Sequence, residues 1–217
     1  MRLIDLSHQI KDGTVTYPGL PGPMIGQHLS FEESTDHYAP GTEFAIGTVT
    51  MVANTGTYLD TPAHRFRGGR DLSDLPLERC ALLPALVVDT GPGPIERRAL
   101  REIDGISGCA VLLRTGWARH WGTDFYGDGS HPHLTEDAAE YLVDEGAELV
   151  GIDSVNIDDT VGGHRPAHTV LLAAEIPVVE HLTNLDRLPA TGARFTAVPP
   201  AIRGLATFPV RAFASVE

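Results

Sequence analysis

The sequence predicts a mixed α/β fold in one domain, and three observations support this. Short apolar runs rich in β-branched residues alternate with a few amphipathic segments, and clusters of Gly and Pro separate them. The chain has 217 residues, of which 42% are hydrophobic and 21% charged, the size and composition of an ordinary globular domain. No change in composition marks a boundary along the chain. We therefore predict a single domain over residues 1–217.

Eight segments are predicted to be strands. The first, Leu3–Ile10, alternates loosely between apolar and polar residues, and the second, Phe44–Ala53, is rich in β-branched residues. Four short apolar runs follow, which is typical of strands buried on both faces, and two more segments lie near the C-terminus. These six segments are Leu82–Val88, Ala110–Leu113, Leu149–Ile152, Pro177–Val179, Phe195–Val198 and Phe208–Phe213.

Helices are predicted at three places. Thr135 is a suitable N-cap for a helix whose first turn carries two acids, where the helix dipole favours negative charge, and Gly146 is a natural stop. Between them, apolar residues recur at the i, i+4 spacing of a buried stripe. A second helix is predicted over His168–Ala174 and a third over Ile95–Ile103.

The charge of the chain excludes several classes of partner. A net charge of −13 disfavours nucleic acids, which need clustered Lys and Arg, and also disfavours anionic membrane surfaces. No apolar run approaches the roughly 20 residues that span a bilayer, and the N-terminus lacks the apolar core of a signal peptide. Cys80 and Cys109 form no CxxC pair and are expected to be buried thiols. We expect a cytoplasmic protein that acts on a small molecule.

A dense polar segment follows the second predicted strand and is the first candidate site. It contains Asn54, Tyr58, Asp60 and His64, and Pro62 restrains its backbone. In an extended stretch, residues two apart share a face, so Tyr58 and Asp60 could point into one pocket. Asp60 offers a base or an oxygen ligand, and an imidazole titrates near neutrality. The alternative is an ordinary turn whose polar side chains bind nearby backbone.

A second polar region follows the predicted strand 149–152 and extends to residue 168. Polar residues at the carboxyl end of a buried strand are a common place for a site. Glu180 ends another apolar strand, and a buried carboxylate there needs a partner. The alternative for the acids of the first part of this region, Asp153, Asp158 and Asp159, is that they cap loops.

The segment from Asn54 to His64 resembles the hallmark His-x-Gly-Thr-His-x-Asp-x-Pro-x-His of the cyclase superfamily, which includes bacterial kynurenine formamidases and isatin hydrolases. Similar segments occur in the family's order over nearly the whole chain. They are Ile4–His8, Thr14–Gly19, Leu113–Trp117, Gly151–Ser154, His168–Leu172, Glu180–Leu182 and Pro209–Ala212. The resemblance implies a swivelling β/β/α cyclase-like fold with a barrel-like mixed sheet. It also implies homodimers or homotetramers whose neighbouring subunits close the active site.

The resemblance also implies roles for individual residues. Asp60 corresponds to an aspartate ligand of a divalent metal, and His168 and Glu180, twelve residues apart, correspond to the later ligand pair. His64 corresponds to the catalytic acid/base. Asn54 and Tyr58, however, stand where the family has metal-binding histidines. An amide and a phenol are poor substitutes for imidazole, so a two-metal site is disfavoured.

One metal held by Asp60, His168 and Glu180 is compatible with this set of residues, since one imidazole and two carboxylates suit Mn or Fe as well as Zn. A site without metal is the alternative, in which Asp60 and Glu180 would repel each other and one would stay protonated. In either case Asn54 and Tyr58 are candidate substrate-binding residues, and Tyr58 is also a candidate catalytic residue with Asp60 and His64.

Three functions follow from these candidates. The first is a hydrolase of a small cyclic or formyl amide, in which His64 moves protons for the attack of water. The second is a metal-free acid/base cyclase, dehydratase or isomerase, in which Asn54 and Tyr58 donate hydrogen bonds to a developing negative charge. The third is a ligand-binding protein without catalysis. The retention of Asp60, His64, His168 and Glu180 favours an enzyme.

Overall fold

The computed structural model describes residues 1–217, and its main element is a nine-stranded sheet that curls into a half-barrel. In chain order the strands and helices are β1 Arg2–Asp5, β2 Met24–Leu29, α1 Phe31–Ser34, β3 Ile46–Thr50, β4 Tyr58–Asp60, β5 Leu83–Asp89, β6 Pro94–Ile95, β7 Ala110–Arg114, β8 His133–Leu134, α2 Glu136–Asp144, β9 Leu149–Ile152, α3 Pro166–Ala173, β10 Val178–Glu180, β11 Ala193–Thr196, β12 Thr207–Pro209 and β13 Phe213–Val216. No helix is both long enough and apolar enough to cross a membrane.

The sheet has a parallel centre and antiparallel flanks. Its order is β1-β13-β11-β5-β7-β9-β10-β4-β12, and β5, β7, β9 and β10 run parallel to one another. Two short pairs, β2 with β3 and β6 with β8, lie outside it. The predicted mixed α/β fold is therefore confirmed, with the strands of the sheet drawn from residues 2 to 216.

Alternate residues of the central strands fill two cores on opposite faces of the sheet. Val111 and Leu113 belong to the core that α2 and α3 cover, whereas Ala110 and Leu112 belong to the core inside the curl. Burial on both faces explains why the central strands read as continuous apolar runs.

Gly151 shows how closely the curled face is packed. A Cβ atom at Gly151 would lie 2.7 Å from Leu182 Cδ1 and 2.9 Å from Leu112 Cδ2. We expect Gly151→Ala to lower the free energy of unfolding by about 1–3 kcal/mol, the usual cost of overpacking. Urea denaturation measures it, with Gly162→Ala as the control because nothing lies within 4 Å of that site. Equal stabilities for the two variants would contradict this account of the core.

Most predicted elements are present, with shifted ends. The segment Phe44–Ala53 contains β3, and Leu3–Ile10 is a strand only in its first part, β1. Helix α2 begins after Thr135 and ends before Gly146, as predicted. The Thr135 hydroxyl, however, lies within hydrogen-bond distance of Ile95 O and Asp137 Oδ1 and does not cap a helical N–H. Cys80 and Cys109 are buried free thiols.

Two predictions of secondary structure are wrong. The segment Ile95–Ile103 is not a helix, because Ile95 pairs in β6 and only residues 97–99 form a 3₁₀ turn. The segment Phe208–Phe213 is not one strand but the end of β12, a connection and the start of β13. Val210 N donates to Thr57 O and Leu6 N to Ala212 O, so the connection is held by loop contacts instead of a ladder.

Candidate active site

Neighbouring strands bring the candidate residues together at one part of the sheet. In the antiparallel register, Tyr58 of β4 lies opposite Glu180 of β10, and Asp60 lies opposite Thr207 of β12 on the other side. Asp60 and Glu180 are both buried, at 0% and 1% exposure. Two carboxylates in an apolar sheet need compensating positive charge or hydrogen-bond donors.

His168 supplies the first of these partners from helix α3. Its Nδ1 donates to Asp158 Oδ2 at 2.6 Å, and Asp158 also accepts from the backbone N–H groups of Ala167 and His168 at the start of the helix. Asp158 therefore fixes both the helix start and the orientation of the ring. The other ring nitrogen, Nε2, lies 3.6 Å from Asp60 Oδ2 and 3.6 Å from Glu180 Oε1.

The atoms that face one another here are left without hydrogen bonds. His168 Nε2 and Asp60 Oδ2 are both buried and have no hydrogen-bond partner. Ligand atoms of Asp60, His64 and His168 all lie within 4.8 Å of one another. A carboxylate that orients a histidine from behind, with its second nitrogen aimed at further carboxylates, is typical of metal sites. The residues present therefore fit one divalent cation.

The carboxylates of the cluster create a negative potential, which favours a positive charge at His168 Nε2, whether a proton or a metal ion carries it. Burial opposes protonation of His168, but its bond to Asp158 and the nearness of Asp60 and Glu180 outweigh it and raise the pKa of His168 to about 10. Burial raises the pKa of Glu180 to about 7. Burial also opposes ionisation of Asp60, yet the nearby His168 and His64 rings hold the pKa of Asp60 below its ordinary value.

His64 is held in one tautomer by Thr207. The hydroxyl of Thr207 donates to Asp60 Oδ1 and lies 2.9 Å from His64 Nδ1. A hydroxyl has one proton, so Thr207 must accept from His64, and Nδ1 carries the hydrogen. The neutral ring therefore keeps a free lone pair on Nε2. Its side chain is 35% exposed, so it can be reached by water or substrate, unlike Asp60 and His168.

Tyr58 takes part in a buried chain of hydrogen bonds that ends on Glu180. Its hydroxyl donates to Glu180 Oε2 at 2.7 Å and lies 3.3 Å from His181 Nε2, while His181 Nδ1 lies 2.8 Å from the Tyr126 hydroxyl. Burial, with the charge of Glu180, raises the pKa of Tyr58, and burial lowers the pKa of His181 to about 3. Both groups are therefore neutral, and Tyr58 is a hydrogen-bond donor to Glu180.

A pocket of about 370 Å³ opens onto this cluster. Residues 17–20 are part of its lining. The polar lining consists of Asn54, Tyr58, His64, Asn156, Arg165 and Glu180. The volume lies within the range of small-molecule sites.

The structure brings every residue predicted for the site to this place. Asp60, His64, His168, Glu180 and Tyr58 form the cluster, and Asn54 lines the pocket beside it. Sequence analysis assigns no definite role at the site to two further residues. Loop capping was the alternative for Asp158, and its carboxylate does cap the start of α3, but it also orients His168. Thr207 gave no signal, since it meets Asp60 across 147 positions of sequence.

Comparison with known proteins gives consistent results. A family model described as "Putative cyclase" matches residues 4–159. A kynurenine formamidase of Salinibacter ruber is 29% identical over 214 residues, which cover 98% of this chain and 96% of that protein.

Solved structures share the fold over almost the whole chain. Isatin hydrolase A from Labrenzia aggregata, bound to benzyl benzoate, has a TM-score of 0.83 and 25% identity, covering 99% of this chain and 93% of that one. A structure described as a potential metal-dependent hydrolase with cyclase activity has a TM-score of 0.79 and 25% identity, covering 98% of this chain and 96% of that one. The predicted fold class is thereby confirmed.

Proposed function

Because the chain belongs to the cyclase family, we propose that it is a hydrolase that cleaves the carbon–nitrogen bond of a small cyclic amide or formamide with one divalent metal ion. The relatives described as kynurenine formamidase and isatin hydrolase support this reaction class. The observation that carries the proposal is the pair of buried, unpartnered atoms His168 Nε2 and Asp60 Oδ2, 3.6 Å apart beside Glu180.

Asp60, His168 and Glu180 would hold the metal, and this set of one imidazole and two carboxylates suits Mn, Zn or Fe. When bound, such an ion polarises a carbonyl oxygen and makes water more acidic. Asp158 keeps His168 turned so that Nε2 stays available, and Tyr58 holds Glu180 by its single phenolic proton. Tyr58 therefore serves as a positioning residue, since that proton is already donated to Glu180.

His64 would move the protons of the reaction. Its free Nε2 accepts a proton from the attacking water, the oxygen of that water bonds to the amide carbon, and the carbon–nitrogen bond then breaks. The same nitrogen returns the proton to the departing amine. Thr207 keeps Nδ1 of His64 as the donor, so the basic atom of the ring, Nε2, is left for the pocket. Asn54 and Asn156 line the pocket and would orient the substrate.

Metal analysis combined with turnover tests this proposal. We expect about one Mn, Zn or Fe ion per purified chain, loss of formanilide hydrolysis after dialysis against a chelator, and recovery when the metal is returned. Full turnover by a protein free of metal would overturn the metal-dependent reaction and favour acid/base chemistry without metal.

Replacement of Tyr58 by phenylalanine should weaken the metal centre. Loss of the donor to Glu180 Oε2 should lower metal affinity by about 10- to 100-fold, as is usual for a residue that orients a ligand. Competition with a chromogenic chelator measures it. Tyr126→Phe is the matched control because it also removes a buried phenol, but one that contacts His181 and not Glu180. Equal affinities in the two variants would contradict the role given to Tyr58.

We also propose that the chain forms a homodimer or homotetramer through the ribbon of β2 and β3. Every residue of β3 is exposed, and the cross-strand pair Ile25 and Val49 is 49% and 58% exposed. Apolar pairs of this kind favour burial against a second copy. Light scattering after gel filtration should give an oligomer for the wild type and a smaller species for Ile25→Lys with Val49→Lys. Leu77→Lys, at a 61% exposed position elsewhere, should leave the mass unchanged.

A cytoplasmic location is part of the same proposal. The two buried, unpaired thiols Cys80 and Cys109 suit a reducing compartment. Cell fractionation with an antibody to the chain tests it.

A further inference from the structure

The two ends of the Asn156 side-chain amide have different surroundings. Its Oδ1 accepts from the backbone N–H of Asp158 at 2.9 Å, whereas its Nδ2 donates to no atom of the chain. A backbone N–H can bind only the oxygen end of an amide, so this contact fixes which end is which. Asn156 is 9% exposed and lines the pocket of the candidate active site. It therefore brings to this pocket an NH2 group without a partner.

The residues that follow Asn156 contact two of the candidate metal ligands. The backbone N–H of Ile157 donates to Glu180 Oε1 at 2.6 Å. The carboxylate of Asp158 binds His168 Nδ1 at 2.6 Å. Three consecutive residues thus reach the site, two of them through a ligand and the first through the pocket. The Asn156 amide therefore lies at the part of the pocket that borders the proposed metal centre.

A nearly buried NH2 group without a partner is suited to an acceptor on the substrate. Such a donor has lost hydrogen bonds to water, and this loss is recovered when a ligand supplies an acceptor. Three other polar groups of the pocket cannot supply the same donor. Glu180 and the free Nε2 of His64 are acceptors, and the single phenolic proton of Tyr58 is donated to Glu180.

From this arrangement we propose that Asn156 is a catalytic residue whose Nδ2 donates to the carbonyl oxygen of the amide that is cleaved. When water attacks, its oxygen bonds to the carbonyl carbon, one of its protons passes to His64 Nε2, and the electron pair of the carbon–oxygen double bond moves onto the carbonyl oxygen. A donor already in place stabilises this negative charge more than it stabilises the neutral carbonyl. The double bond then re-forms, the carbon–nitrogen bond breaks, and the departing nitrogen takes the proton from His64. The inference rests on the proposed hydrolase function for the identity of that bond.

Two variants separate this donor from the turn that Asn156 forms. Asn156→Asp keeps an oxygen that can accept from the backbone N–H of Asp158 but has no N–H group, whereas Asn156→Leu lacks both. We expect kcat for formanilide to fall by about 100-fold or more in both variants, with KM raised by less than about tenfold, as for loss of a donor to an oxyanion. A kcat for Asn156→Asp within about a factor of two of the wild-type value would overturn the inference, because the turn alone would then explain the residue.

Metal content and a control variant test whether the effect is local. Both Asn156 variants should hold as much metal as the wild type, because the three candidate ligands remain. Loss of the ion together with turnover in both would overturn the inference, since Asn156 would then act through the ligands that its neighbours hold. Gln9→Leu removes an exposed side-chain amide outside this pocket and should leave kcat at the wild-type value.

Ligand binding reports on the same contact without turnover. Oxindole has a lactam carbonyl, and indoline has the same two rings without that oxygen. We expect the ratio of oxindole affinity to indoline affinity to be about 3- to 10-fold higher in the wild type than in either Asn156 variant, as for one hydrogen bond. NMR titration measures both affinities. The chain has only three Asn and two Gln residues, so the Asn156 NH2 signal can be identified by its absence from the variants.

The binding ratio distinguishes failure of this inference from failure of the proposed function. If no amide is hydrolysed but the ratio falls in both variants, Asn156 binds a carbonyl oxygen and only the hydrolase proposal is wrong. An equal ratio in the wild type and in both variants would overturn the inference even if amides are hydrolysed. Any contribution of the metal to carbonyl binding is common to the three proteins, so it does not affect the comparison.

Discussion

Asp60→Asn should abolish both metal binding and turnover. The side chain keeps its shape and can still accept from the Thr207 hydroxyl, but a neutral amide is a poor ligand for a divalent cation. We expect metal content below about a tenth of the wild-type value and hydrolysis slower by at least about 1000-fold, since a catalytic metal contributes several kcal/mol to transition-state stabilisation. Plasma mass spectrometry and an assay with formanilide measure the two effects.

The same variant should leave the fold intact. In the absence of metal, the charge of buried Asp60 is repelled by Glu180 but attracted by His168 and His64, so its removal changes two opposing interactions while the amide keeps the shape of the side chain. Asp74→Asn is the control, because Asp74 is exposed and its carboxylate accepts no hydrogen bond from a side chain. A variant at Asp60 that retains full metal content would show that the cation is held elsewhere, and the proposed centre would be wrong.

The central strands could be predicted from sequence because a strand buried on both faces is a continuous apolar run. Leu149–Ile152 is buried on both faces, and the predicted bounds match β9. Strand β4 could not be predicted in the same way, since its three residues include two polar groups that serve the site. The prediction of a helix over Ile95–Ile103 is wrong. The apolar residues of this segment lie in separate turns that pack on the core covered by α2.

The residues of the site can also be divided into those that the sequence indicates and those that it does not. Asp60, His64, His168 and Glu180 could be identified because they lie in segments that resemble a known family. The residues that orient these four side chains could not be identified, because the topology of the sheet decides which residues come into contact. Thr207 reaches Asp60 only because β12 pairs with β4, and this pairing has no signature within either segment.

His64→Asn should separate proton transfer from metal binding. Loss of the only exposed imidazole of the cluster removes the base, and we expect kcat to fall by about 100- to 10,000-fold. Metal content should stay close to the wild-type value, because Asp60, His168 and Glu180 remain. The comparison with Asp60→Asn is therefore decisive: both variants lose turnover, but only the aspartate variant loses the ion.

Thr207→Val refines this test of His64. Valine has nearly the shape of threonine but cannot accept from Nδ1, so the ring is free to adopt the other tautomer. We expect a smaller loss in kcat than in His64→Asn, of about tenfold, with His64 still present. If His64→Asn instead lost the metal together with turnover, His64 would be a ligand, as the short distances among Asp60, His64 and His168 allow. The proton would then have to be carried by another group of the pocket. Glu180 suits this role, because Tyr58 holds its carboxylate and burial raises its pKa.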